Sequence, residues 1–323
     1  MRPRHGHARA RRGEALRARA GGGSAGLTAV AVLWCACARA AGLPDWTAQA
    51  IALPTPAWAA RAPAVQLLGE ESITVPRGGR IQILRRGVVR VQSLSGKEWA
   101  SCFVEYVRGT SDVPELRAWI VGARGRVTRL DRSDASDWSV AGEFQLYSET
   151  RRLGLSAPNA GPRTVFAWEW VREEDPLLAQ WPWPFQTQLP CLLSRVSLTL
   201  PDSLEPAAVR FGPDSVVVAQ RGRTWTWERR DVRPLPREPL ASVTLSNVSA
   251  VMLGVKGAGQ RSAAGASFAD WGEVARWLDE LSALQSPVDQ EVAGCAARLT
   301  ASAADTLARA QALARAVDRK AHV

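Results

Sequence analysis

The sequence predicts a mainly β protein: an antiparallel β-sandwich region of one or two lobes, followed by two C-terminal α-helices. Three observations predict it. From Val65 onward, short apolar segments alternate with period two and are broken by turn residues about every ten positions. Tryptophans recur in those segments two residues apart, as at Trp168/Trp170 and Trp225/Trp227, which puts each pair on one face of a strand. Beyond residue 266 the apolar spacing changes to that of a helix.

The chain has 323 residues, which suits about two domains and allows a sizeable core without staples. Residues 1–40 read as a signal peptide. Arginines crowd residues 2–19, an apolar run follows from Leu27 to Ala38, and Ala38-Arg39-Ala40 fits a small-residue cleavage site. This predicts an exported, periplasmic protein, held at the inner membrane if the leader stays uncleaved. Membrane contact is expected only through that segment. The leader holds eight of the 41 basic residues and one of the 31 acidic ones, so the headline charge of +10 falls to +3 without it. A nucleic-acid partner is therefore not expected, because that role needs a clustered basic face on the folded part.

Residues 41–255 form the predicted Trp-rich β region. It opens on an extended lead-in, since Pro44, Pro54, Pro56 and Pro63 disfavour regular structure. Strands are expected at Ile73–Val75, Ile81–Val91, Phe103–Val107, Leu116–Val121 and Val127–Leu130, with turns at Arg77–Arg80 and Ala123–Arg126. Thr164–Val171 and Thr224–Glu228 each follow an arginine and alternate tryptophan with small or acidic residues. Val196–Leu200 is a strand that Pro201 stops. Residues 256–266, rich in Gly, Ala and Ser, read as a linker. In 267–323 one helix is expected from an N-cap at Ser267, with Trp271, Val274, Trp277, Leu278 and Leu281 on one face. A second is expected from about Ser302. It meets Val323 with no glycine or proline stop, as a chain cut short would.

Residue chemistry narrows the function. The three histidines are His5, His7 and His322, none inside the predicted fold. A Ser-His-Asp triad, a Cys-His dyad and a histidine-ligated zinc site thus lack their imidazole. Cys102, Cys191 and Cys295 follow the leader with no C-x-x-C spacing and are expected to be buried, inert thiols. Neither a metal nor a cofactor is expected. Most of the 14 tryptophans read as core. Trp181 and Trp183 are the exceptions, because flanking prolines fit strand core poorly, and they are the candidates for an exposed platform that stacks on sugar rings. Glu169, in an acidic cluster with Glu173, Glu174 and Asp175, is the candidate acid of a glycosidase-type carboxylate pair. Its ordinary reading is a solvated strand end. Arg85, Arg86, Arg90, Arg229, Arg230 and Arg233 read as the exposed face of amphipathic strands.

Several of these segments resemble one family. Ala64–Glu71, Ile81–Val91, Ala118–Val121 with Gly125-Arg126-Val127, Phe166–Trp170, Pro182–Gln186, Ser194-Arg195 with Leu200-Pro201, and Trp225–Glu228 with Glu238-Pro239 are similar to the bacterial domain of unknown function 3857. The resemblance covers roughly residues 60–320. That domain precedes a transglutaminase-like core in exported proteins, and Ser267–Leu281 and Ala310–His322 look like the helices leading into it. The core's Gly-Asp-Cys-Lys segment has no counterpart here, so no catalytic residue carries over. The resemblance implies a non-catalytic extracytoplasmic scaffold or recognition module of a transglutaminase-like protein, with an envelope protein or cell-wall polymer as partner. The alternative from the residues is a carbohydrate-binding or carbohydrate-active envelope protein that uses exposed tryptophans.

Overall fold

The computed structural model describes residues 42–140, 148–212, 215–235, 248–256, 264–285 and 289–320. The predicted signal peptide, most of the predicted linker, all three histidines and Glu238-Pro239 lie outside the described residues.

The protein is mainly β, with helices at its C-terminal end. Its largest element is an eight-stranded sheet built from Ala64–Thr74 (β1), Ile81–Val91 (β2), Ser111–Val121 (β4), Val127–Leu130 (β5), Val165–Glu174 (β8), Cys191–Thr199 (β10), Val217–Arg221 (β12) and Thr224–Val232 (β13). The strand order is β12-β13-β10-β1-β2-β8-β4-β5. Every pairing in it is antiparallel except β1 with β10, which run parallel across a long crossover. The expected antiparallel character holds in every sheet, with that one parallel pair as the exception. A three-stranded sheet joins Glu205–Phe211 (β11), Ala250–Lys256 (β14) and Gln180–Pro184 (β9) in the order β11-β14-β9. Another joins Ser101–Val107 (β3), Thr150–Ser156 (β7) and Ser136–Ser139 (β6) in the order β3-β7-β6.

The main core lies between one face of the large sheet and the two small ones. It gathers Ile73, Ile83, Trp170, Leu198 and Trp227 from the large sheet, Trp181, Trp183 and Leu253 from one small sheet, and Val104 and Leu155 from the other. Gly87 belongs to this face for a steric reason. The Trp168 indole lies directly over it, and a Cβ there would come within 2.5 Å of Trp168 Cε2. Part of the opposite face carries a second core of Leu67, Leu68, Val88, Trp119, Ala167 and Leu192. The N-terminal segment covers it.

That segment corrects the expected extended lead-in. Asp45–Ile51 form a helix (α1) that enters directly after Pro44, a residue suited to helix starts but unable to continue one. Ala48, Ala50 and Ile51 are buried against the sheet. Arg90 on β2 pins the helix end. It donates to the Ile51 carbonyl at 2.7 Å, the Leu53 carbonyl at 3.4 Å and Thr55 Oγ1 at 2.8 Å. An arginine at a helix C-terminus satisfies orphan carbonyls and opposes the dipole's negative end.

At the other end three helices replace the expected two: Trp271–Gln285 (α2), Gln290–Thr300 (α3) and Thr306–Lys320 (α4). The first is capped by Asp270, which accepts from the Glu273 amide at 2.9 Å, rather than by Ser267. The helix α3 was not among the expected elements, although Val292, Cys295, Ala296 and Leu299 recur in it at helical spacing. Asp289 caps it, accepting from the Val292 amide at 2.7 Å. No described helix is long and apolar enough to cross a membrane.

Candidate functional site

Strand register brings together charges that are far apart in the chain. Arg117 on β4 stands opposite Glu169 on β8, and Glu169 opposite Arg86 on β2. Arg86 stands opposite Glu70 on β1, Glu70 opposite Arg195 on β10, and Arg195 opposite Glu228 on β13. Six adjacent strands thus carry one transverse row of strictly alternating charge. Opposite charges directly across a ladder attract, whereas like charges there would repel, so the row also favours this register over its neighbours.

The row is bonded as well as aligned. Arg117 Nη1 lies 3.5 Å from Glu169 Oε1, and Arg86 Nε lies 3.1 Å from Glu169 Oε2. Arg86 Nη1 reaches Glu70 Oε1 at 3.4 Å, and Arg195 makes a charge-assisted contact to Glu70 Oε2. Glu228 instead pairs with Arg230 two residues on, at 2.8 Å. Glu70 and Glu169 are buried while the arginines stay partly exposed. Burying these carboxylates is tolerable because each has two guanidinium partners.

The row borders the second core. One row further along the same face lie Trp119, Ala167, Val88 and Leu68, under α1. Trp46 of α1 meets Trp119 edge-on at 5.8 Å and stacks over the Arg86 guanidinium at 5.2 Å. On the other side the face becomes polar, through Ser72 and Ser197 and then Thr199 and Thr224. Between α1 and β1, β10 and β13 a cleft of about 230 Å³ opens, walled by Trp46, Leu53, Leu67 and Leu193 and rimmed by Arg195 and Arg230.

Glu169 is therefore neither a solvated strand end nor a free acid. Both its oxygens are engaged by arginines, Oε1 by Arg117 and Oε2 by Arg86. The platform expectation for Trp181 and Trp183 is also corrected, since the two are only 5% and 3% exposed. They alternate on β9 with Pro182 and Pro184, and β9 is an edge strand, where missing amide donors break no second ladder. Both indoles turn inward. Trp183 Nε1 donates to Ser194 Oγ at 3.2 Å, and its ring carries the Arg85 guanidinium at 4.9 Å.

Cys102, Cys191 and Cys295 are free thiols. Burial pushes Cys102 and Cys191 up to about 12, against backbone hydrogen bonding that pulls the other way, so neither forms a nucleophilic thiolate near neutrality. Among the described residues no three His, Cys, Asp or Glu side chains gather as a metal site. Sequence reasoning missed Glu70, Arg117, Arg195 and Glu228, because only strand pairing reveals that they form one row. It also missed the exposed aromatics Phe103 and Trp138.

Residues 78–236 match the family described as "Domain of Unknown Function with solved-structure structure" (DUF3857), a narrower span than the 60–320 of the resemblance. No curated protein matches the chain. The crystal structure of a "putative protease" from Parabacteroides distasonis is similar at a TM-score of 0.63 and 11% identity. That match covers 80% of this chain and 50% of the other, so this chain spans about half that protein's length. At such identity the likeness bears on the fold alone. An M1 zinc metallopeptidase from Deinococcus radiodurans matches at a TM-score of 0.29 and 11% identity, over 60% of this chain and 43% of its own, too slight a likeness to inform even that.

Proposed function

With residues 78–236 matched to DUF3857, we propose that this chain is a non-catalytic scaffold or recognition module acting outside the cytoplasm as the β region of a transglutaminase-like protein. The observation that carries the reading is the alternating row. Two of the three buried carboxylates of the large sheet, Glu70 and Glu169, are each held by two arginines in cross-strand register, which is work of architecture rather than of proton transfer. Export is supported by the leader's three-part pattern, and the transglutaminase-like setting by the segments that resemble its upstream domain.

The test is turnover. The purified chain, free of its leader, is incubated with peptide, amide and ester substrates and followed by mass spectrometry. No conversion above a buffer control is expected. Conversion that vanishes in Glu169→Gln or Glu70→Gln would overturn the reading and make the row a catalytic centre.

A further inference from the structure

The outer face of the β3-β7-β6 sheet has a chemistry unlike the rest of the surface. By register, Phe103 stands opposite Gly154 and Gly154 opposite Ser136. In the next row Glu105 stands opposite Arg152 and Arg152 opposite Trp138. Phe103 is 52% exposed and Trp138 42%, although aromatics elsewhere in the β region are mostly buried. Gly154 is what lets the Trp138 ring lie down. A Cβ there would come 3.0 Å from Trp138 Cη2 and 3.4 Å from Phe103 Cβ, so the Trp138 ring edge lies over a bare strip of backbone beside Phe103. An aromatic laid across a strand glycine shields the backbone and shows its free side to solvent.

The polar groups beside the rings are fixed. Arg152 pairs with Glu105, Nε lying 3.1 Å from Oε1 with a second contact from Nη2 to the same oxygen. The Arg152 guanidinium also stacks over Phe103 at 4.2 Å. Arg172 ties the Glu105 carbonyl from below at 3.0 Å. The pair is neutral as a whole but offers both kinds of hydrogen-bonding group, guanidinium N–H donors and the second Glu105 oxygen. An anion would face the Glu105 charge, and a cation that of Arg152. An uncharged ligand with an apolar face and vicinal hydroxyls meets neither penalty. Its C–H face can lie on Trp138 while its hydroxyls bond the pair.

We propose that the Phe103–Gly154–Trp138 face, with Arg152 and Glu105, is a binding site for a neutral pyranose chain. This rests on the recognition-module reading and gives it a ligand class. It moves the sugar platform from the buried Trp181 and Trp183 to a sheet where aromatic rings are exposed.

The test titrates the full chain with soluble hexamers of β-linked glucose and of β-linked N-acetylglucosamine, followed by tryptophan fluorescence and calorimetry. Saturable binding is expected, weakened at least tenfold by Trp138→Ala and retained in large part by Trp138→Phe, with an unchanged melting temperature. Glu105→Gln tests the hydroxyl contacts and should weaken binding less. No binding of either hexamer, or binding indifferent to Trp138→Ala and Phe103→Ala, overturns the proposal. So does a concentration-dependent dimer that Trp138→Ala dissociates, since a second copy would then be the occupant. Failure here leaves the turnover test unaffected, and substrate conversion there would leave glycan binding to be judged by this titration.

Discussion

Glu71 illustrates how a single residue can be held against its preference. It follows Glu70 on β1 and therefore points to the opposite face, into the main core. Burial raises its carboxyl above the ordinary 4.5, and Glu174 pushes the same way, while Arg85, 3.5 Å away, and Arg172 only partly offset them. Desolvation wins because one longer contact cannot replace a hydration shell. A carboxyl with a raised folded pKa binds its proton more tightly in the native than in the unfolded chain. Its contribution to stability is therefore intact below 4.5 and lost as pH rises through the folded value. Relative to Glu71→Gln, the wild-type protein should lose stability as pH climbs above 4.5, measured by urea unfolding at several pH values. A gain over that interval would show that the arginines outweigh burial.

Among elements, the transverse row ranks the strands it crosses. Arg86 bridges two buried carboxylates at the centre and lies under Trp46, whereas Arg117 at the β4 end is more exposed and shared with Glu115. Breaking a fully buried pair costs about 3–5 kcal/mol. Here Glu70 and Glu169 each keep a second arginine, so Arg86→Met should cost less, about 1–3 kcal/mol. Arg117→Met should cost under about 1 kcal/mol, as exposed pairs do. Chemical denaturation of both variants decides it, and equal losses would show that the row is not graded by burial. The row also shows what single segments conceal. Arg86 of β2 was visible as a charge in an apolar strand, but its partners lie 16 and 83 residues away and are set by pairing.

At the scale of the molecule, the β region closes before the C-terminal helices begin. Ala264 and Ala266 are buried, and Ala266 bridges Leu178 beside β9. Gly265 takes φ of 88° there, a left-handed conformation whose backbone neighbours also leave no room for a side chain. Past this anchor, Trp271 at the start of α2 is exposed, and α3 and α4 pack on each other with Leu307 and Val317 of α4 exposed. A chain ending at residue 268 should therefore melt within about 2 °C of the full chain by circular dichroism at a β-sensitive wavelength. A fall of 10 °C would place the helices within the cooperative unit. The β character, many strand positions and the helical character of the C-terminal part were legible from the residues, because period-two and period-3.6 patterns and turn residues are local properties. They marked β2 at Ile81–Val91 with its observed bounds. Folding was needed to make Trp181 and Trp183 core, to set Glu169 in an arginine row, to run β1 and β10 parallel, and to lay the Trp138 ring over Gly154 beside Phe103. Each of these depends on which strands lie side by side and which face is covered, and the chain settles that only when its distant segments pair.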